Sequence, residues 1–259
     1  LTMPTETIPV WIVWILAFLG GMIAGAVWGC IPGFLKALLN INEVITCIMT
    51  NWIAANLVTW FFEVRDELKN AEDGGKVGYI KLFPGSQVTG GIVIAVLIAV
   101  IVYIIMTKTT FGYQLKACGN NRHAARYAGI NDKKSIVMSM AIAGALSAAG
   151  ASLYYLSGHT EFFWSTYQML PDEGFNGIPV ALLASNHPIG VVFTGCFMSM
   201  LNIAGMQLKT LTAYNEYITD IIIASIVYLS AFAMLIKTLL DKRGKKKKET
   251  GENAEGGNK

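Results

Sequence analysis

The sequence is divided by one polar stretch, residues 111–134, which consists of FGYQLKACGNNRHAARYAGINDKK. Long apolar runs flank it on both sides, and Asp132 is its only acidic residue. The cations in it or just before it are Lys108, Lys116, Arg122, Arg126, Lys133 and Lys134. Basic segments next to membrane-spanning helices are kept on the cytoplasmic side. We therefore predict that the flanking runs cross a membrane and that this segment lies in the cytoplasm.

Residues 122–130 of this stretch form a predicted short helix that is rich in alanine. Gly129 is placed to end that helix, because glycine accepts the left-handed backbone geometry of a helix C-terminus. A loop that only joins two spans does not need a short helix of small residues, whereas a loop that docks onto a partner does. An ordinary basic loop explains the charges alone better, so the docking hypothesis depends on the spacing of the small residues.

That spacing, FGxxLxAxGxNxxAAxxAGI, resembles the cytoplasmic coupling segment of ABC-importer permeases of the ribose, branched-chain amino acid and nucleoside type. The residues that match are Phe111, Gly112, Leu115, Ala117, Gly119, Asn121, Ala124, Ala125, Ala128, Gly129 and Ile130. The resemblance covers residues 19–237 and implies that the segment fits a cleft on an ATP-hydrolysing subunit. It assigns this coupling role to Gly119, Asn121, Arg122, Ala124, Ala125, Arg126, Ala128 and Gly129. We expect Arg122 and Arg126 to lie near an acidic rim of that cleft.

The composition excludes an ordinary soluble domain. Hydrophobic residues make up 54% of the chain, charged residues only 14%, and the mean hydropathy is +0.49. A soluble domain carries about 25% charged residues. The predicted fold class is all-α, a polytopic transmembrane helix bundle with one interrupted helix and a cytoplasmic coupling helix. The cations gather in the central segment and the tail, which indicates membrane orientation and not nucleic-acid binding.

Six full membrane spans are predicted from runs that approach the roughly 20 residues needed to cross a bilayer. They lie at residues 9–29, 43–62, 91–106, 136–156, 189–205 and 218–236. In the first span, glycines recur every four residues and form a ridge on which another helix packs closely. These glycines are Gly21, Gly25, Gly29 and Gly33. An interfacial stretch follows at 31–41, and residues 63–89 are expected outside the cell.

The domain organisation follows from these spans. Residues 1–240 form the predicted permease domain, and residues 241–259 form a basic tail, which we expect to be disordered in the cytoplasm. Members of the resembled family begin with further helices, so the permease domain is expected to be truncated at its N-terminus.

The second span carries polar residues that are costly in a membrane and mark a candidate solute path. Thr46 and Thr50 lie four residues apart and share one helix face, Asn51 follows, and Glu43 begins the span. We predict solute contacts at Asn51, Thr50 and Glu43. Hydrogen bonding between helices is the alternative explanation for the same residues.

Residues 174–190, GFNGIPVALLASNHPIG, contain an apolar core at 178–184. This core is too short to cross a membrane alone, and glycine and proline interrupt it on both sides. Interrupted helices are tolerated where they line a cavity or are buried in protein. The resembled family has a similar GFxGIAVALLG element, from which this chain departs at Pro179 and at the end of the element. Asn176 is a candidate solute contact, and turn chemistry is the alternative.

The sequence contains no recognisable catalytic or metal-binding motif. It contains no GxxxxGK[ST] phosphate loop and no convergent catalytic set. The four cysteines form no CxxC pair and are interpreted as free thiols, and the three histidines are scattered. We predict a chain that is not an enzyme and binds no metal or cofactor, with ATP and Mg²⁺ bound by partner subunits.

The predicted function is the transmembrane subunit of an ATP-driven ABC importer in the cell (bacterial inner) membrane, multi-pass, with a cytoplasmic C-terminus. The solute is small, neutral and polar, a nucleoside first and a simple sugar such as ribose or galactose as the alternative. The implied partners are ABC ATPase subunits, a second permease subunit (homo- or heterodimer) and an extracytoplasmic solute-binding protein or lipoprotein. Two other classes stay open, a secondary transporter or channel without an ATPase, and an intramembrane enzyme.

Overall fold

The computed structural model describes residues 10–64, 91–156 and 170–211, together with a few residues between 218 and 232. In these ranges all regular structure is α-helical, and five helices are long and apolar enough to cross a membrane. The predicted all-α polytopic bundle is thereby confirmed. The first nine residues, the segments 65–90, 157–169 and 212–217, and the tail lie outside the described residues, as does about half of the sixth predicted span.

Helix α1, Val10–Leu39, is longer than predicted. The predicted interfacial stretch at 31–41 continues this helix as far as Leu39, although Pro32 lies inside it. A proline in a transmembrane helix is tolerated where its neighbours satisfy the backbone groups that it frees. The helix ends at Asn40, whose φ is 54° and whose backbone N–H donates to the Lys36 carbonyl over 3.1 Å. Asparagine is one of the few side chains that accept this left-handed geometry.

Helix α1 packs along helix α6, Asp132–Leu156, and the two run antiparallel. The glycine ridge predicted in α1 forms this contact, which confirms that it faces another helix. A Cβ atom built on Gly21 would lie 2.5 Å from Ser152 Oγ, and one on Gly29 would lie 2.6 Å from the Met140 carbonyl oxygen. The absence of side chains on the ridge therefore lets the two backbones touch.

Helix α2, Glu43–Val64, begins three residues after α1 ends, within a residue or two of the predicted bounds. Asn42 caps it, since its Oδ1 accepts a 2.9 Å hydrogen bond from the Val44 N–H. Lys36 Nζ and Glu43 Oε2 lie 2.6 Å apart and close the corner between α1 and α2. Large apolar side chains stay exposed along α1 and α2, as expected for helices whose surroundings are lipid or other membrane helices.

Helix α3, Gly91–Lys108, leads into two short helices, α4, Thr110–Asn120, and α5, Arg122–Tyr127. The sequence predicted only the second of them. Thr109 caps α4 by accepting the Gly112 N–H over 3.2 Å, and Gly112 is buried against the end of α3. A Cβ on Gly112 would overlap the Ile105 carbonyl oxygen, which explains why the FG pair opens the segment.

Residues 171–259 form a second compact unit, in which the predicted interrupted element is confirmed as two helices. Helix α7, Asp172–Leu183, is too short to span a membrane, and α8, Pro188–Leu211, follows after a turn. Pro179 lies inside α7, and Thr194 Oγ1 of α8 donates to the Val180 carbonyl over 3.1 Å. This side-chain bond ties the two helices together one residue beyond the proline.

Candidate functional site

Asn121 joins the two short helices of the polar segment, because it is both the C-cap of α4 and the N-cap of α5. Its backbone N–H donates to the Ala117 carbonyl over 3.1 Å, and its side-chain Oδ1 accepts the Ala124 N–H over 3.0 Å. Its backbone is extended, with φ −152° and ψ 104°. The asparagine of the sequence pattern therefore stabilises the start of α5, because its side-chain oxygen accepts a backbone N–H that has no partner within the helix.

Gly129 ends α5 as predicted, with φ at 80°. The Ile130 N–H donates to the Ala125 carbonyl and the Gly129 N–H donates to the Arg126 carbonyl, both over 3.0 Å. This pair of bonds is a Schellman motif, the C-terminal cap that favours glycine. Asn131 then caps α6, because its Oδ1 accepts the Lys134 N–H over 3.1 Å. The AGIN part of the segment is thus a compact turn between two capped helices.

A charge cluster holds α5 against the start of α6. Asp132 Oδ2 accepts hydrogen bonds from Arg122 Nε over 2.6 Å and from Arg126 Nη2 over 2.7 Å. We call these three residues the arginine–aspartate clasp. Arg122 Nη1 also lies 3.5 Å from Asn40 Oδ1, so the clasp reaches the corner between α1 and α2. The bond to Asp132 raises the pKa of the Arg126 guanidinium, which keeps this side chain charged.

The clasp changes the expectation for the two arginines, which were expected to meet an acidic rim on a partner. In the structure their guanidinium groups bind an acid of the same chain. In the sequence, Asp132 stands out only as the single acidic residue of the segment. A single carboxylate among six cations could have predicted an ion pair within the chain, because a buried charge in a protein needs a partner of opposite charge.

The small residues of α5 divide into a buried and an exposed set. Ala125 is buried by the chain itself, with 4% of its surface exposed. Tyr127 is 94% exposed, and residues that are exposed as well include Gly119, Asn121, His123, Ala124, Ala128 and Gly129. No Cβ built on Gly119 or Gly129 would meet a described atom within 4 Å. The outward surface of α5 therefore carries the small Ala124 beside the larger exposed side chains of His123, Arg126 and Tyr127.

In α2 the two threonines are buried and their hydroxyl groups are already used. Thr46 Oγ1 donates to the Asn42 carbonyl over 2.9 Å, and Thr50 Oγ1 donates to the Thr46 carbonyl over 2.9 Å. Such bonds back to the preceding turn satisfy a hydroxyl in an apolar helix. Thr50 is therefore paired within its own helix in this structure.

The two other candidates on α2 differ in their surroundings. Glu43 forms the ion pair with Lys36 at the corner. Asn51 is exposed, and no described residue hydrogen-bonds its side chain. It follows Glu43 by eight residues, which places it about 12 Å further along the span at 1.5 Å per residue. Of the α2 candidates, Asn51 is thus the one whose polar group is free to meet another molecule.

Asn176 lies in the first half of α7, in the second unit, and it is exposed. Its amide has no hydrogen-bond partner among the described residues, so turn chemistry does not engage it. The turn between α7 and α8 instead uses Ser185 and Asn186, both left-handed, with φ values of 51° and 58°. The backbone of Ser185 has the left-handed geometry that glycine accepts without strain.

The four cysteines are free, as predicted. With five long apolar helices and a capped, exposed short helix on a basic segment, the chain is a multi-pass membrane protein of the permease class. It belongs to the family described as branched-chain amino acid transport system / permease component, whose model matches residues 3–234.

Several permease proteins are similar in sequence to this chain. The chain is 36% identical over 236 residues to the nucleoside ABC transporter permease protein NupB of Lactococcus lactis, which covers 86% of this chain and 64% of that protein. It is 33% identical over 243 residues to the guanosine ABC transporter permease protein NupP of Bacillus subtilis, covering 89% and 68%. The glucose ABC transporter permease protein TsgB13 of Haloferax volcanii is 27% identical, covering 82% and 59%. The chain thus spans about two thirds of the length of the first two relatives. No solved structure matches it.

Proposed function

We propose that this chain is the transmembrane subunit of an ATP-driven importer whose solute is a nucleoside. The observation that carries the proposal is the polar segment of a permease-family chain, which presents the exposed helix α5 between two well-formed caps. Such a helix is a docking element for a partner that moves. The names of the relatives from Lactococcus and Bacillus support the nucleoside as solute.

The partners that this function requires are two ATPase subunits, a second permease subunit and an extracytoplasmic solute-binding protein or lipoprotein. ATP and Mg²⁺ bind to the ATPase subunits. Helix α5 and the corner at Asn40 lie on the cytoplasmic side, joined there by the contact between Arg122 and Asn40. The tail follows on the same side.

The proposed solute contacts are Asn51 and Asn176, whose amide groups are exposed and can both donate and accept hydrogen bonds. Nucleosides offer hydroxyl groups and ring nitrogens that match this chemistry. Thr50 and Glu43, predicted with them, have their polar groups engaged by Thr46 and Lys36. A simple sugar is the second candidate solute, because the glucose permease from Haloferax also resembles this chain.

The proposal is tested by uptake in cells that carry the permease with its partner subunits, compared with cells that lack only the permease. We expect saturable uptake of labelled guanosine or uridine that is lost with the permease and is competed by nucleosides more strongly than by ribose, galactose or glucose. Competition by the sugars alone would support the second candidate. Uptake that does not depend on the permease would contradict both.

The docking role of α5 has its own test in Gly129→Val, with Gly129→Asn as the matched control. Valine cannot hold a φ of 80° without strain, whereas asparagine accepts it at low cost. We expect Gly129→Val to lose both uptake and recovery of the ATPase in a pull-down, and Gly129→Asn to retain them. Wild-type uptake and ATPase recovery in both variants would show that this turn plays no part in coupling.

A further inference from the structure

We propose that Asp132 is a positioning residue that fixes the orientation of α5 and joins this helix to the cytoplasmic ends of α6 and α1. The inference rests on the proposed function, because it concerns how movement of a docked ATPase reaches the membrane helices. It assigns to the arginine–aspartate clasp a mechanical part in coupling, separate from any contact with the ATPase.

The first observation is the burial of Asp132. Its side chain is 6% exposed, whereas those of Arg122 and Arg126 are 31% and 59% exposed. A single oxygen, Oδ2, accepts from both guanidinium groups. Charge-assisted bonds of this kind are short and directional. The acid is therefore the centre of the cluster, and the two arginines reach inward to it.

The second observation is the spacing of the two arginines on α5. Arg122 begins the helix and Arg126 lies one turn later, so both side chains project from the same face. Two attachment points along one face prevent the helix from rotating about its axis, which a single point would allow. With this face held, Ala124 and Tyr127 are directed away from the chain.

The third observation is that the arginine–aspartate clasp connects α5 to the ends of two membrane helices. Asp132 is the first residue of α6, and Arg122 also reaches Asn40 at the end of α1. Helices α1 and α6 are in backbone contact through their glycines. A displacement of α5 is thus carried into a closely packed helix pair. Without the clasp, the backbone turn at residues 128–131 and the burial of Ala125 remain as the described links between α5 and α6.

The test uses the protein with its partner subunits in lipid vesicles and compares Asp132→Asn, Asp132→Glu and Lys133→Ala. Asparagine keeps the size but removes the charge, glutamate keeps the charge, and Lys133 is an exposed neighbour outside the clasp. We expect Asp132→Asn to lower the solute imported per ATP hydrolysed by about 5-fold or more, the lower end of typical coupling between sites. Asp132→Glu should recover part of this ratio, and Lys133→Ala should leave it unchanged.

A merely structural role would lower the amount of protein in the membrane and leave the ratio of uptake to hydrolysis intact, and that outcome would overturn the proposal. An unchanged ratio at normal abundance would overturn it too. The ratio is informative because it does not depend on how much transporter each vesicle contains.

A spin label at Tyr127→Cys, in a background without the four native cysteines, measures the orientation of α5 without transport. We expect Asp132→Asn to increase the mobility of this label and Lys133→Ala to leave it unchanged. If the wild-type assembly neither imports a nucleoside nor retains the ATPase, the proposed function fails, while the label still decides whether Asp132 positions α5. An unchanged label in Asp132→Asn would overturn the positioning role.

Discussion

Gly25 of α1 lies against the backbone of Gly144 of α6, and a side-chain carbon on either glycine would overlap the carbonyl oxygen of the other. Between membrane helices, where the hydrophobic effect gives no attraction, such close approach is a main source of association. The pair therefore sets the distance between the two most closely packed helices of the first unit.

Gly25→Leu should prevent α1 and α6 from packing, while Gly20→Leu on the same helix should be tolerated. A Cβ on Gly20 meets no described atom within 4 Å, so the two substitutions differ only in what the side chain faces. Overpacking a close contact costs about 1–3 kcal/mol, and a leucine between two backbones is at the upper end. The measurement is the yield and melting temperature of the detergent-solubilised protein. Equal yields from both variants would show that the ridge faces lipid.

Ser185→Gly should stabilise the turn between α7 and α8. The backbone of Ser185 has a φ of 51°, where a residue with a side chain is strained and glycine is not, and relief of that strain is worth about 1 kcal/mol. Ala184→Gly is the matched control, because its φ of −75° gives glycine no advantage and only adds flexibility. We expect the melting temperature to rise in the first variant and to fall in the second. A fall in both would mean that the serine side chain stabilises the turn.

Asn51→Ala and Asn176→Ala should each raise the half-saturation concentration for nucleoside uptake. Loss of one hydrogen bond to a buried solute group costs about 1–3 kcal/mol. Asn56→Ala is the control on α2, because the Asn56 Nδ2 donates to the Trp52 carbonyl over 2.8 Å and is not free for a solute. Unchanged uptake kinetics in both test variants would reassign these asparagines to helix packing.

Tyr127→Cys, in the background without native cysteines, should resist an impermeant thiol reagent on intact cells and react once the membrane is permeabilised. The reason is that the cations around α5 hold this segment in the cytoplasm, while its 94% exposure makes position 127 fully accessible from that side. Gly75→Cys, in the segment predicted to lie outside, should react on intact cells. Reversal of the two results would invert the topology.

The sequence predicts the membrane helices of this chain well, because long apolar runs have few alternatives in a bilayer. It also predicts the glycine ridge and the role of Gly129, since a fixed spacing of small residues and a left-handed cap leave direct traces in sequence. The C-terminal end of α1 at Leu39 was not predicted, because proline and glycine such as Pro32 and Gly33 usually interrupt a helix. In the structure Gly33 packs against Val137 and Met140, and the helix continues through both residues.

The site was harder to predict than the fold. Asp132 pairs with residues six and ten positions earlier in the sequence. Asn40 contacts Arg122 although helices α2, α3 and α4 lie between these two residues along the chain. Such contacts depend on tertiary packing and leave no periodic signal. On α2, the sequence marks both Thr50 and Asn51 as polar residues of one span. Only the structure shows that the Thr50 hydroxyl is hydrogen-bonded within the helix, whereas Asn51 is exposed.

The double role of Asn121 leaves the corner between α4 and α5 without a spare residue. Surface loops usually absorb an inserted or deleted residue, because their chain can bulge without disturbing the elements that they connect. Here one added residue would separate the C-cap of α4 from the N-cap of α5, so that a single asparagine could no longer satisfy both helix ends. The length of this corner is therefore as strictly constrained as the identity of its residues, and an affinity tag or epitope inserted there would not be tolerated.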